Sequence, residues 1–319
     1  MLLFSLLLAC VDPDAPVDAS DTEARVFEVP KGASAGGLGP RLVEEGLAPS
    51  EWQWKLFLRQ TDASCLKAGK FEVRGDMSLN ELLETLCGVP IADDVPFTVL
   101  EGWRIRDIDA ALVEKGWIEP GAYAKVAEGK TVTAPFDVPS PTLEGYLYPE
   151  TYMVPAEGFT AELLVERQLK TFKERFLDPH AEGDFGGRTL HELVVVASML
   201  EREEPKPHQR PLVAGIMYKR LDANTPLGID ATSRYTLPEW NDRKAFLKKL
   251  RDPGDPYNTR LSAGLPPTAI GNPTLSSLEA AMKPESSEFW YYLHDAEKNL
   301  HPARNAAEHE ANRKKYNVY

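Results

Sequence analysis

Cysteine is scarce in this chain, with three in 319 residues. That excludes a disulfide-dense scaffold and leaves no Cys-rich metal motif. Only six histidines occur. His294, His301 and His309, even with Glu308 and Glu310 beside them, follow no metal-ligand spacing, so neither a metal nor another cofactor is expected. No G-x-S-x-G nucleophile turn is present. GGLG at 36–39 is too short to cradle a phosphate. Basic residues are outnumbered, 36 Lys and Arg against 49 Asp and Glu, for a formal charge of -13. Without a basic cluster, phosphate recognition lacks its electrostatic footing, and a nucleic-acid binder is excluded. What remains is 43% hydrophobic and 27% charged. Such a chain can bury a full core and is expected to form two domains.

The N-terminus reads MLLFSLLLAC, an apolar run shorter than the roughly twenty residues a membrane-spanning helix needs. Its Leu-Leu-Ala-Cys end resembles the lipobox of bacterial lipoproteins, although the usual basic start is missing. Lipidation of Cys10 would anchor the chain to a membrane. An acidic, proline-bearing tether occupies 11–24. With Cys10 modified, Cys65 and Cys87 are left as an even pair, and in an oxidising compartment a disulfide between them is expected.

Residues 25–130 contain an internal repeat. FEVPKGASAGGLGPRLVEEGLA from Phe27 aligns without gaps with FTVLEGWRIRDIDAALVEKGWI from Phe97. Both read as strand, turn and helix. A third version starts at Phe71, where Ser78 and Glu81 have the spacing of a capping box. Units of this size resemble LysM modules, which bind N-acetylglucosamine polymers; a plain packing scaffold would read the same way. The expected architecture is α+β, with LysM-like N-terminal αβ units followed by a mixed α/β catalytic domain over 131–319.

Within that second part, Thr189 and Glu192 form another capping box, and Pro205 closes the helix that begins there. At roughly 100° per residue, Glu201 falls on the stripe of Leu193, Val194, Ala197 and Leu200. Burial there would raise its pKa, which suits a general acid for a glycosidic oxygen. Glu203 and Glu204 follow at once, and an acidic helix end is more often a solvated face. Periodicity leaves the choice open.

LEGYLYPETY at 143–152, ASMLEREE at 197–204, LGIDATSRY at 227–235, YNTR at 257–260 and GLPPTAIGNP at 264–273 occur in the order and spacing of the YceG-like family, the endolytic murein transglycosylases. The resemblance implies cleavage of the β-1,4 bond between N-acetylmuramic acid and N-acetylglucosamine inside peptidoglycan strands, leaving 1,6-anhydro ends. It implies Glu201 as the single catalytic acid and base, an envelope location outside the cytoplasmic membrane, and peptidoglycan synthases as possible partners. Asp230, Tyr257, Asn258, Thr259, Pro266, Asn272 and Tyr148 are the candidate saccharide contacts, each with turn chemistry or core packing as its plain alternative. Tyr146, Tyr148 and Tyr152 alternate as on a strand. Two rival functions stay open: a muramidase, which needs a second carboxylate such as Asp230, and a non-catalytic glycan-binding scaffold.

Overall fold

The computed structural model describes residues 12–91, 94–156, 158–180 and 185–318. Cys10 and the segment before it lie outside them. Among the described residues the chain is α+β, with short two-stranded sheets among many helices. No helix among them is long and apolar enough to cross a membrane. Two compact units are present, Met1–Asp94 with Pro155–Glu157, and Val95–Val154 with Gly158–Tyr319.

The first unit runs β1 (Arg25–Val29), α1 (Gly39–Glu44), α2 (Glu51–Phe57), β2 (Gly69–Val73) and α3 (Leu79–Cys87). Strands β1 and β2 are antiparallel, with Phe27 opposite Phe71 and Arg25 opposite Val73. Alternation along both strands turns Phe27, Val29, Phe71 and Val73 inward, where they meet Leu42, Trp54, Leu82 and Leu86. Trp54 is fully buried, and its indole N–H donates to the Ala35 carbonyl at 2.7 Å. Helix α3 opens on the expected capping box: Ser78 Oγ accepts from the Glu81 N–H, and Glu81 Oε2 accepts from the Ser78 N–H at 2.8 Å. A disulfide joins Cys65 to Cys87, tying the loop after α2 to the last residue of α3.

The second unit continues with β3 (Asp94–Thr98), α4 (Ile105–Glu114), α5 (Ala122–Gly129) and β4 (Thr151–Pro155). Because β3 pairs with β4, the strand, two helices and strand of the first unit recur here. Then come α6 (Ala161–Phe172), α7 (Leu190–Glu203), α8 (Arg210–Asp222), α9 (Asp230–Tyr235), α10 (Arg243–Lys249) and α11 (Leu275–Met282). Strands β5 (Tyr291–His294) and β6 (Leu300–Ala303) form an antiparallel hairpin, followed by α12 (Ala306–Lys315).

Helix α7 is the axis of this unit. Every residue from Leu193 to Leu200 is buried, so it is apolar on all sides and other elements cover each flank.

Two expectations shift. The boundary between units falls after Asp94, not after residue 130, because Phe97, Ile108, Leu112 and Tyr123 share one core with Tyr146, Phe172 and Val194. The second copy of the repeat therefore belongs to the larger unit. The tyrosines of LEGYLYPETY do not lie on one strand either, since residues 143–150 form turns and only Tyr152 is in β4. Gly145, at φ +92°, bends the chain there, and a side chain at that position would meet Ala269 and Val194.

Removing the disulfide by Cys65→Ser with Cys87→Ser frees a loop spanning a 22-residue separation. Loop-closure entropy then puts the loss for the first unit at about 3 kcal/mol. Denaturant unfolding followed by hydrogen exchange should show protection falling around Phe27 and Trp54 but not around Val194; equal loss in both cores would contradict the division into units.

Candidate active site

Helix α7 ends in glutamates. Its C-terminus carries partial negative charge, so acidic residues are disfavoured there unless each is separately compensated. The structure compensates the three acids of ERE-E in three different ways.

Glu201 points into the protein, with 5% of its side chain exposed. Arg210, at the start of α8, donates from Nη2 at 3.0 Å and Nη1 at 3.4 Å. The Thr274 N–H (2.9 Å), the Thr274 hydroxyl (2.6 Å) and the Ser277 hydroxyl (2.8 Å) complete the set around Oε2. Thr274 is the N-cap of α11. The carboxylate thus ties α7, α8 and α11 together. Burial follows the apolar stripe, as periodicity implies, yet the surroundings are ionic and all its partners are donors.

Glu204 is the C-cap, driven to extended backbone by the proline after it. It is fully buried, accepts from the Lys206 N–H at 2.8 Å and lies 2.9 Å from His294 Nε2 on β5.

Glu203 differs from both. It stands on the wall of a cavity of about 620 Å³, with Asp230, Arg260, Arg220, Tyr292 and His309 among the other lining residues. Among the described residues one side chain donates to it, the Tyr292 hydroxyl at 3.3 Å. Burial raises its pKa to about 7, helped by the charge of Asp230; the Tyr292 hydrogen bond and Arg260 oppose the rise. Asp230 opens α9 and is held by Arg260 Nε at 2.6 Å, both side chains being partly exposed.

Of the sequence candidates, Asp230 alone joins Glu203 on that cavity wall. Thr259 is buried and bonds Ile229 and Thr232, holding the loop that leads into α9. Asn258 is buried as well, donating to the Lys249 and Asp252 carbonyls. The Tyr257 hydroxyl meets Thr268 at 2.8 Å, and its ring packs on Tyr235. Pro266 and Tyr148 are buried. Asn272 spans three segments: its Oδ1 accepts from the Gly145 and Leu147 N–H groups, and its Nδ2 donates to the Trp103 carbonyl. These side chains build the frame around the site.

Glu144, from LEGYLYPETY, is the other acid with an unusual environment. It is buried in the core, receives the Ile105 N–H and the Tyr235 hydroxyl, and burial raises its pKa to about 8. It does not line the Glu203 cavity. The residues that sequence reasoning missed are Arg220, Tyr292 and His309. Arg220 donates to the Pro226 and Trp290 carbonyls, and His309 stacks on Tyr291 at 5.3 Å. His309 enters the sequence reading only as a metal ligand without matching spacing; nothing local marks Arg220 or Tyr292.

The sequence model of the YceG-like family matches residues 27–315. An endolytic murein transglycosylase of Bacillus subtilis (strain 168) is 25% identical over 315 residues, covering 94% of this chain and 87% of its own length. Another, from Streptococcus pneumoniae serotype 2 (strain D39), is 24% identical over 331 residues, and the match covers 95% of this chain but 60% of the pneumococcal protein. The crystal structure of a YceG-like protein from Listeria monocytogenes superposes with a TM-score of 0.59 at 24% identity, covering 91% of this chain and 99% of that one, which establishes a shared fold. The match of the family model to most of its length, with the same fold in a solved member, places this chain in the YceG-like family.

Proposed function

We propose that the protein is an endolytic murein transglycosylase, a lyase that cuts the β-1,4 bond between N-acetylmuramic acid and N-acetylglucosamine within glycan strands. The names of its relatives support the activity. The observation that carries the residue assignment is the position of Glu203 on a cavity wall with its pKa raised to about 7.

A carboxyl that titrates near neutrality can be both proton donor and acceptor in one turnover. Glu203 protonates the leaving glycosidic oxygen as the bond to the anomeric carbon breaks. The resulting carboxylate then takes the proton from the muramyl C6 hydroxyl while that oxygen attacks the anomeric carbon. The product is a 1,6-anhydro ring, and no water enters. Hydrolysis would require a second carboxylate as base or nucleophile. Asp230 is the acid nearest in role, and its pairing with Arg260 supports the one-carboxyl route. This reading moves the acid from Glu201, where the family resemblance put it, to Glu203. Both oxygens of Glu201 are already engaged inside the protein, Oε1 by Arg210 and Oε2 by Arg210, Thr274 and Ser277.

The two units of strand, two helices and strand are proposed to act as LysM-like glycan holders. An envelope location fits the Cys65–Cys87 disulfide, which persists in oxidising compartments. Anchoring through Cys10 and work beside a peptidoglycan synthase belong to the same proposal.

Two sets of variants test the assignment. Digestion of purified glycan strands, read by mass spectrometry, should yield anhydro-muramyl ends that disappear with Glu203→Gln while the fold persists. Reducing ends would indicate a muramidase, and full activity in the variant would return the role to another acid. Glu201→Ala should instead act on stability, because it strands a buried Arg210; breaking such a pair costs about 3–5 kcal/mol, readable as a shift in denaturant midpoint.

The pH profile checks the environment of Glu203. Its protonated form prevails below about pH 7, so cleavage should fall along an alkaline limb near that value. Asp230→Asn removes a charge that raises the pKa and should move the limb to lower pH. Arg260→Gln removes one that lowers it and should move the limb higher. Shifts in the same direction would refute the electrostatic account.

A further inference from the structure

We propose that the larger unit has a second saccharide site, on the flank of α7 beside the Glu203 cavity, which takes an acidic sugar of the strand through its carboxylate, as on the lactyl group of an unsubstituted muramyl residue. The proposal rests on the murein-cleaving reading above.

A cavity of about 440 Å³ lies between α4 and the end of α7, lined by Trp103, Arg104, Asp107, Glu114, Arg202 and Trp240. Indoles, guanidinium donors and carboxylate acceptors are the groups that hold sugars: flat apolar walls for C–H faces, and charged hydrogen bonds for hydroxyls. The cationic side chains differ in what they have left to offer. Arg104 is engaged with both oxygens of Asp107 and with the Tyr235 and Leu237 carbonyls. Its charge is neutralised and its geometry is locked.

Arg202 is only partly offset, by the charges of Asp107, Glu144 and Glu201. It donates to the Gly102 carbonyl and lies against the Trp240 ring, 4.4 Å from the centroid. It forms no ion pair among the described residues, since Asp107 is taken by Arg104. Its Nε is occluded from solvent without a partner. A guanidinium partly removed from water with no carboxylate in direct contact is unfavourable, and an arriving carboxylate relieves that. Burial already pulls its guanidinium pKa down.

Position gives the site its relation to the reaction. Arg202 directly precedes Glu203, so the two side chains diverge by roughly 100° around the helix axis. Their tips are then on the order of 10 Å apart, a reach comparable to a disaccharide. A strand with one linkage at Glu203 could place a neighbouring acidic sugar at Arg202. Trp240, held by Arg202 on one contact and Arg104 at 5.4 Å on another, is a preorganised wall for that ring.

The test uses the full chain carrying Glu203→Gln, so that ligands are bound without cleavage. Calorimetry compares denuded murein oligosaccharides, which expose lactyl carboxylates, with chitooligosaccharides of equal length, which have none. Adding Arg202→Gln should weaken the murein ligand about tenfold, the loss of one charge-assisted contact, and leave the chitooligosaccharide unchanged. Adding Trp240→Ala instead should weaken both. Circular dichroism and the unfolding midpoint confirm that each variant is folded. Unchanged murein affinity in both variants, or equal loss of both ligands on Arg202→Gln, overturns the site. If the Glu203→Gln parent binds neither oligosaccharide, the murein reading itself falls.

Discussion

The buried pair of Glu201 and Arg210 is the interaction on which the larger unit depends. It joins the end of α7, the start of α8 and the N-cap of α11, three helices that also pack on one another. A buried ion pair is no reliable source of net stability against a hydrophobic substitute. Its value here is geometric. Five donor contacts fix one carboxylate in place, and with it the direction in which the last turn of α7 presents the neighbouring side chains. Arg210 also donates to the Glu204 carbonyl at 3.0 Å, so the same guanidinium holds the C-cap.

Three glutamates within four residues thus acquire three chemistries from environment alone. Among the described residues, Glu201 has a guanidinium, Glu204 a histidine and a backbone amide, and Glu203 a single tyrosine hydroxyl. The under-compensated one is on the cavity wall. Its raised pKa follows from that shortage, because burial is answered by few donors and is reinforced by the charge of Asp230. The frame that makes this possible is itself polar. Asn272 caps the turn at Gly145, and Glu144 receives the first N–H of α4, so the loops beside α7 are held by buried hydrogen bonds.

Much of this was legible in the sequence, and the limits have physical causes. The start and end of α7 follow from a capping box and a proline, both local signals. The stripe arithmetic places Glu201 inside, where it is found. What it cannot supply is the partner: Arg210 is nine residues away and Thr274 seventy-three. An acid on an apolar stripe looks the same whether its pocket is greasy or cationic, so the reading of Glu201 as an acid in an apolar site had no local check. The family blocks YNTR and GLPPTAIGNP were visible as blocks, but most of their polar residues face the frame. Asn and Thr serve sugar hydroxyls and backbone amides with the same atoms, and only tertiary placement separates these uses. The unit boundary escaped for a related reason. The repeat from Phe97 repeats a fold pattern, while its apolar face packs into the core around Tyr146 and Phe172.

One carboxyl suffices for this chemistry only if it is reprotonated at each turnover and no second acid competes for water. In the mechanism proposed above, the cavity meets both conditions through charge pairing. Asp230 raises Glu203 toward neutrality from a distance while Arg260 occupies Asp230 directly. On that proposal the same aspartate tunes the acid, and its ion pair with Arg260 keeps it from acting as a base. In a chain with a formal charge of -13, such local cations carry weight beyond their number. In the binding proposed above, they mark where an acidic surface turns receptive to an acidic polymer, Arg260 in the cavity of Glu203 and Arg202 in the one beside α4.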